Sequence, residues 1–351
     1  MLAPVTHFLP LATIVRKRLL PVPGRVVARL NQKVVATEVV AEAQYAREHV
    51  LLDVARTFGI SAVAAERLIR CRVGDQLAEG TVVAEQKGLL SKSVRTPCDG
   101  RVVVIGDGQV LLEVGDTGLE LRAGVPGIVT EIIPDRGVAI QTTGALVQGV
   151  WGNGRTDVGL MLPLLEKPSD VLTAAQLDVS LRGAVLLAGH CRDGEALRAA
   201  AELPVRGLIL SSLMPSLLPL ASQMRYPILV VDGFGNLPMN LSAFKILSTN
   251  VKREVTIRAE VYDRYAGIRP EVIIPLPVNQ ELPIASDIGT FAPEQQVRLR
   301  RAPHVGEIAT LTKLLPGLTT LPVGLRAPAA EVRLQNGEQI IVPLVNLEIV
   351  A

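Results

Sequence analysis

Three stretches of this 351-residue chain crowd reactive or ligand-binding side chains together. The first is Gly189-His190-Cys191-Arg192-Asp193-Gly194, with an imidazole, a thiol and a carboxylate in near succession. Those types can make a nucleophile and its base, but such groups usually converge from different elements. Adjacent in sequence, Asp193 reads equally well as the cap of a helix that follows. The second is Asp232-Gly233-Phe234-Gly235-Asn236-Leu237-Pro238-Met239. Two glycines between a strand and a helix can admit a phosphate to the helix N-terminus. The full GxGxxG spacing and a P-loop lysine are absent, so a tight turn enforced by glycine is the simpler reading. The third runs from Gly144 to Gly154 and holds the only tryptophan, Trp151, with Asn153 beside it. Glycines around a lone Trp point to close backbone packing at an interdomain or subunit contact.

Other chemistry is thinly represented. His7, His49, His190 and His304 lie far apart, and no set of histidines and carboxylates has metal-ligand spacing. Cys71, Cys98 and Cys191 are too scattered for a disulfide framework and suit a reducing, cytoplasmic setting. No cofactor is implied. Thirty-six Lys and Arg against 34 Asp and Glu leave a net charge of +2, which excludes a general polyanion-binding surface. One Trp, four Tyr and five Phe offer little for stacking bases. One local basic cluster, Arg298, Arg300 and Arg301, could touch nucleic acid or simply protect a strand edge with charge.

The elements that must position these residues are mostly strands. A length of 351 residues suggests two or three domains, and 48% hydrophobic residues supply a sizeable core. The start, MLAPVTHFLPLATIVRKRLL, places its charges after the apolar part, the wrong order for a secretory signal, and reads as an ordered arm over 1–21. No uncharged apolar run is long enough to span a membrane. Short β-branched runs punctuated by glycine fill 22–121 and a second small β module over 122–168, with a helical insert over 45–69 that Gly59 can break and Ser61 can cap. Residues 178–269 alternate strand and helix: strands at 184–188, 207–210 and 228–231, helices at 194–201, 215–225 and 239–247. Continuous apolar strands in that order imply a short parallel sheet. A Pro-rich connector, 270–293, leads to a last β module over 294–351, where Asn336-Gly337 signals a type I′ hairpin. The fold class expected is multidomain α+β.

Two resemblances refine this. Val22-Pro23-Gly24-Arg25-Val26, Val73-Gly74-Asp75-Gln76-Leu77-Ala78-Glu79-Gly80 and Thr96-Pro97-Cys98-Asp99-Gly100-Arg101-Val102 resemble the barrel-sandwich hybrid of biotinyl and lipoyl carrier domains. Carriers present a modified lysine flanked by methionine. Lys87 and Lys92 occupy the corresponding stretch without that flank, so the resemblance implies the fold and not the carrier role. Gly306-Glu307-Ile308-Ala309-Thr310-Leu311, Glu331-Val332-Arg333-Leu334 and Pro343-Leu344-Val345-Asn346-Leu347-Glu348 resemble an SH3-like barrel of the KOW type, which implies binding to RNA, ribosome, polymerase or protein. Leu52 to Ser61 also looks like half of a helix-turn-helix, but its base-facing positions, Ala62, Val63, Ala65 and Glu66, would read bases poorly.

Interaction-type modules, balanced charge and no coherent catalytic set lead to the expectation of a non-enzymatic scaffold or assembly subunit that self-associates or binds a protein partner. Two alternatives stand beside it. One is a small-anion-binding enzyme or sensor using His190, Arg192, Asp193, Gly233, Gly235 and Asn236. The other is an RNA- or ribosome-associated factor using the C-terminal barrel and the Arg298, Arg300 and Arg301 cluster. Trp151 and Asn153, together with those three arginines, are the candidate interface residues.

Overall fold

The computed structural model describes residues 2–86, 91–263, 267–277, 282, 284 and 288–351. Strands account for 49% of the chain and helices for 14%, arranged as several sheets, so the protein is a β-rich α+β chain. Among the described residues no helix is long and apolar enough to cross a membrane.

The N-terminal part is organised by a long ribbon. After β1 (Leu2–Thr6) and β2 (Phe8–Leu19), β3 (Val39–Asp53) pairs antiparallel with β7 (Gln109–Arg122), from Asp53↔Gln109 to Leu121↔Ala41 and, after a register shift, Arg122↔Val39. Between these two strands come α1 (Val54–Phe58), α2 (Ala62–Glu66), a hairpin of β4 (Val82–Gln86) with β5 (Lys92–Arg95), and β6 (Gly100–Gly106), which pairs with β7. One end of the ribbon shares a core with Val54, Phe58, Ala65, Val83 and Val102. The chain flanking its other end, Ala28, Val34, Val40, Ala123 and Val125, packs with Val129, Val138 and Ile140 of the central sheet. Residues 22–121 therefore divide among several cores, Ala41 and Ala43 of β3 joining a further small one with Leu20.

The helical insert is shorter than its apolar spacing suggested. Residues 45–53 are strand because 45, 46 and 48–53 pair across to β7, and the helix begins only where Asp53 accepts from the Arg56 amide at 2.8 Å. Gly59 closes α1 in the left-handed region at φ 69°. Ser61 flanks α2 without a side-chain capping bond. Gly108 of the β6–β7 turn packs against Ala62 and Ala65, so part of the face a helix-turn-helix would offer to DNA is covered. Lys87 lies outside the described residues; Lys92 is an exposed residue of β5, opposite Gln86.

The central sheet positions the candidate site. Its strands are β8 (Gly127–Ile133), β9 (Gly137–Gln148), β10 (Trp151–Gly152), β11 (Arg155–Pro163), β12 (Ala184–Ala188), β13 (Gly207–Leu213), β14 (Ile228–Phe234), β15 (Glu254–Ala259) and β16 (Glu271–Pro275). Their spatial order is β10-β14-β13-β12-β11-β15-β16-β9-β8, and β2 runs along the other edge of β9. Strands β11 to β14 are mutually parallel; β15, β16 and β9 continue the sheet antiparallel. Helices α3 (Gly194–Glu202) and α4 (Leu218–Gln223) cover one face, packing on Leu186, Ala188, Leu208 and Leu210. Helix α5 (Leu241–Thr249) covers the other, packing on Val185, Leu187, Ile209 and Val231. Burial on both faces is why these strands read as continuous apolar runs instead of alternating ones.

The C-terminal sheet is built from β17 (Ile288–Thr290), β18 (Gln296–Leu299), β19 (Ile308–Leu314), β20 (Ala329–Arg333), β21 (Gln339–Pro343) and β22 (Leu347–Val350), and it recruits β1. The first residues belong to this sheet: β1 lies between β17 and β22, parallel to β22. The hairpin signalled by Asn336-Gly337 forms, but not as a two-residue type I′ turn. Leu334 O accepts from the Gly337 amide at 3.0 Å, Leu334 N donates to Glu338 O at 2.8 Å, and Gly337 takes φ 90°. That is the three-residue loop with glycine in the left-handed position.

Candidate functional site

The parallel strands deliver their carboxyl ends to one edge, where open α/β sheets place ligands. Beyond β12, the His190 amide donates to Asp170 O at 2.8 Å, and Gly189 sits so close to that carbonyl that any side chain would collide with it. The buried His190 Nδ1 lies 2.9 Å from Ser212 Oγ at the end of β13. Ser212 Oγ also donates to Leu237 O at 2.7 Å and accepts from Leu237 N at 3.1 Å. With its one proton given to Leu237, Ser212 accepts from His190, so the proton of that imidazole sits on Nδ1. The hydroxyl is a buried fastener for the 235–238 loop, not a nucleophile facing a base. Burial, joined by Arg192, depresses the His190 pKa against an opposing hydrogen bond to the Ser212 backbone.

Cys191 is buried, and that burial, with Asp193 adding to it, pushes its thiol up to about 12, far from a reactive thiolate. Asp193 caps α3, accepting from Glu195 N at 2.7 Å and Ala196 N at 3.4 Å, and Arg192 is exposed. The residues 190–193 therefore do not converge on a common substrate position.

The second loop is not a phosphate cradle. The Gly235 amide donates to Leu213 O at 3.0 Å, the Leu237 amide is held by Ser212, and Asn236 is exposed. The helix that follows starts at Leu241, and its N-terminus is already answered by a protein carboxylate. Asp232, at the end of β14 and 5% exposed, accepts from Asn240 N at 2.9 Å and from Asn240 Nδ2 at 2.8 Å. Burial pushes the Asp232 carboxyl up to about 6, although Arg298 and both Asn240 bonds pull the other way. A second anion at this helix end would meet that carboxylate, which argues against the small-anion expectation.

Asp232 instead lines a cavity of about 470 Å³ between this sheet edge and the C-terminal unit. Its other walls include Leu237, Met239 and Leu241 from one side and Val305, Glu307 and Ile308 from the other. No Lys, Arg or His is among its lining residues. Among the described residues no group of three or more His, Cys, Asp or Glu could hold a metal ion.

The predicted interface residues take separate places. Trp151 is half-buried against the α3/α4 layer. Asn153 donates to Tyr226 O at 2.9 Å and accepts from Ile228 N at 3.0 Å, locking β10 to the start of β14. Gly152 lies against the Ala259 backbone with no room for a Cβ. Arg298 corrects the reading of a surface basic cluster. It is 2% exposed and ion-paired with Glu348, and it donates to Val231 O at 3.2 Å. Glu348 also faces Arg269 at 3.7 Å. Arg300 and Arg301 stay exposed.

Asp232 and Asn240 were missed as a pair in the sequence. The available signal was a single carboxylate closing the apolar run Ile228-Leu229-Val230-Val231, at the strand end where a buried charge is expensive. Glu307 and Val305 reach the same cavity from more than 70 residues away, with no local signal at all. Neither a protein-family model nor a curated protein matches the chain.

Proposed function

We propose that the chain is a non-enzymatic assembly subunit that binds a second copy of itself through the open edge of its C-terminal sheet. The observation that carries this is β21. It pairs with β20 on one side and ends the order of that sheet. Its sequence, Gln339-Ile340-Ile341-Val342-Pro343, has no charge, and Ile341 is 49% exposed. Edge strands of monomers are usually blocked by charges or by Pro; here Pro343 stands only at the end of the strand, and the apolar Ile340–Val342 edge before it is a template for another strand. A groove of about 300 Å³ runs between β21 and the Leu299–His304 segment, leaving space beside the edge. Antiparallel pairing of two β21 edges is self-complementary and closes on itself as a two-fold dimer. Exposed Val345, and Leu318, Val323 and Leu325 on the adjoining 315–328 loop, add apolar surface at the same end. That loop is tied down by Leu344 N to Pro328 O at 2.9 Å and Leu315 N to Ala329 O at 3.0 Å.

The finer architecture belongs to the same proposal. Four antiparallel strands in succession, then a 3-10 turn at Leu344–Asn346 and a fifth strand returning to the first, speak for the SH3-like reading of the C-terminal unit. The β4–β5 hairpin and the Gln76-Leu77 pairing with β6 speak for a barrel-sandwich type of unit near the N-terminus. Three free thiols suit a cytoplasmic setting. Burial of Arg298 removes one of the three members of the basic cluster on which the RNA-binding alternative relied.

Light scattering of the full chain over a concentration series tests the proposal. The expected result is a dimer that Ile341→Lys converts to a folded monomer. A wild-type chain that stays monomeric up to its solubility limit overturns it, as does an Ile341→Lys variant that dimerises unchanged.

A further inference from the structure

The cavity beside Asp232 lies between two units that are far apart in sequence, and its chemistry is one-sided. We infer that it is a binding site for a small organic ammonium compound, a primary amine on a short apolar body, whose charged end meets the Asp232 carboxylate. At about 470 Å³ the space falls within the size of small-molecule sites. Leu237, Met239, Leu241, Val305 and Ile308 would surround the apolar body.

Asp232 selects the head group. Each of its oxygens accepts one bond from Asn240, and a carboxylate oxygen can accept two, so acceptor capacity is left over. The arginine whose charge reaches it does not use it. Arg298 is near enough to be felt, but it spends its donors on Glu348, Val231 O and Thr6. An ammonium would supply both the missing donors and the missing charge through charge-assisted hydrogen bonds. A carboxylate or phosphate ligand would face Asp232 and Glu307 with no cation on the lining. A purely apolar ligand would strip the remaining water from a buried carboxylate and return nothing for it. Glu307 at the exposed wall, one of whose oxygens meets His304 Nδ1 at 3.1 Å, adds a second carboxylate that favours entry of a cation while His304 is neutral.

The test uses the full chain and a series of primary alkylamines from butylamine to octylamine, with the alcohols and carboxylates of the same skeletons. Binding is read by calorimetry and by the methyl carbon resonance of Met239, a lining residue. At least one amine is expected to saturate and shift the Met239 signal, with its alcohol weaker and its carboxylate silent. Asp232→Asn should weaken the amine about ten- to a hundredfold, the worth of a hydrogen bond to a charged group. Val305→Trp, which fills the cavity from the other unit and leaves Asp232 and Asn240 in place, should abolish binding. The inference is overturned if no amine binds, if the carboxylates bind as tightly, or if Asp232→Asn leaves affinity unchanged. Should Asp232→Asn fail to fold, undiminished binding by Val305→Trp overturns it alone.

Discussion

Two buried carboxylates in this protein titrate in opposite directions, and the difference lies in their partners. Burial raises both. At Asp232 it prevails over Arg298 and Asn240, leaving the carboxyl at about 6. At Glu348 it is outweighed by Arg298, Arg269 and Arg300, which hold that carboxyl below its ordinary value. A raised carboxyl keeps its proton better folded than unfolded, so its stabilisation is present in acid and disappears as pH rises through about 6. A depressed carboxyl does the reverse, stabilising above its ordinary range and losing that on acidification. Asp232→Asn should therefore gain on wild type by about 2 kcal/mol as pH rises from about 4 to about 7. Glu348→Gln should instead be at its greatest disadvantage at neutral pH. Urea unfolding across that range measures both, and pH profiles parallel to wild type would contradict the assignment.

At the scale of elements, the short strand β10 shows how little sequence can hold an edge. It has two residues and pairs with β14 through Trp151↔Val230 and Gly152↔Leu229. Gly152 allows the chain to lie on the Ala259 backbone, and the Asn153 amide bridges Tyr226 O and Ile228 N. Removing that amide leaves two part-buried backbone groups without their partner. Asn153→Ala is expected to destabilise by about 2 kcal/mol, and Asn236→Ala, at an exposed loop position, by less than about 0.5 kcal/mol. Thermal denaturation of the two variants side by side distinguishes them. Equal losses would mean that Asn153 is not a structural pin.

Over the whole molecule, the first 20 residues bind distant units together. Strand β1 lies in the C-terminal sheet and β2 in the central one. Arg16 pairs with Glu271 at 2.6 Å, Glu271 with Arg258 at 2.6 Å, and Arg18 with Glu260 at 3.0 Å, an ion network across β2 and β16 and the chain at the end of β15. Arg298 adds a second link, since its donors reach Glu348, Val231 and Thr6. Deleting residues 1–7 strips β1 from between β17 and β22 and exposes both edges. We expect the shortened chain to unfold in two calorimetric transitions, the C-terminal unit first, where the full chain unfolds in one. A single transition at an unchanged temperature would show that β1 contributes nothing to the C-terminal unit. Glu271→Ala should cost about 3 kcal/mol, because it leaves Arg258 buried with one partner fewer.

What the sequence determined by itself was local. Strands at 184–188, 207–210 and 228–231, the helices between them, the cap at Asp193, the break at Gly59 and the close packing around Gly152 all follow from residue types within one or two turns of each other. The tertiary structure alone decided the rest. Arg298 read as part of a basic surface because its ion partner is 50 residues away and its Thr6 contact 292 residues away. The opening segment read as an arm because a strand's partner cannot be inferred from its own pattern, and β1 pairs with the end of the chain. Residues 45–53 read as helix because apolar spacing over a short window fits both periods, and only the partner β7 selects the strand. Asp232 came to line a cavity only when folding placed Val305 and Glu307 opposite it. Hydrogen bonding within a helix or turn is fixed by neighbours in sequence, whereas sheet order, buried ion pairs and cavities between units are fixed by surfaces that meet only in the folded chain.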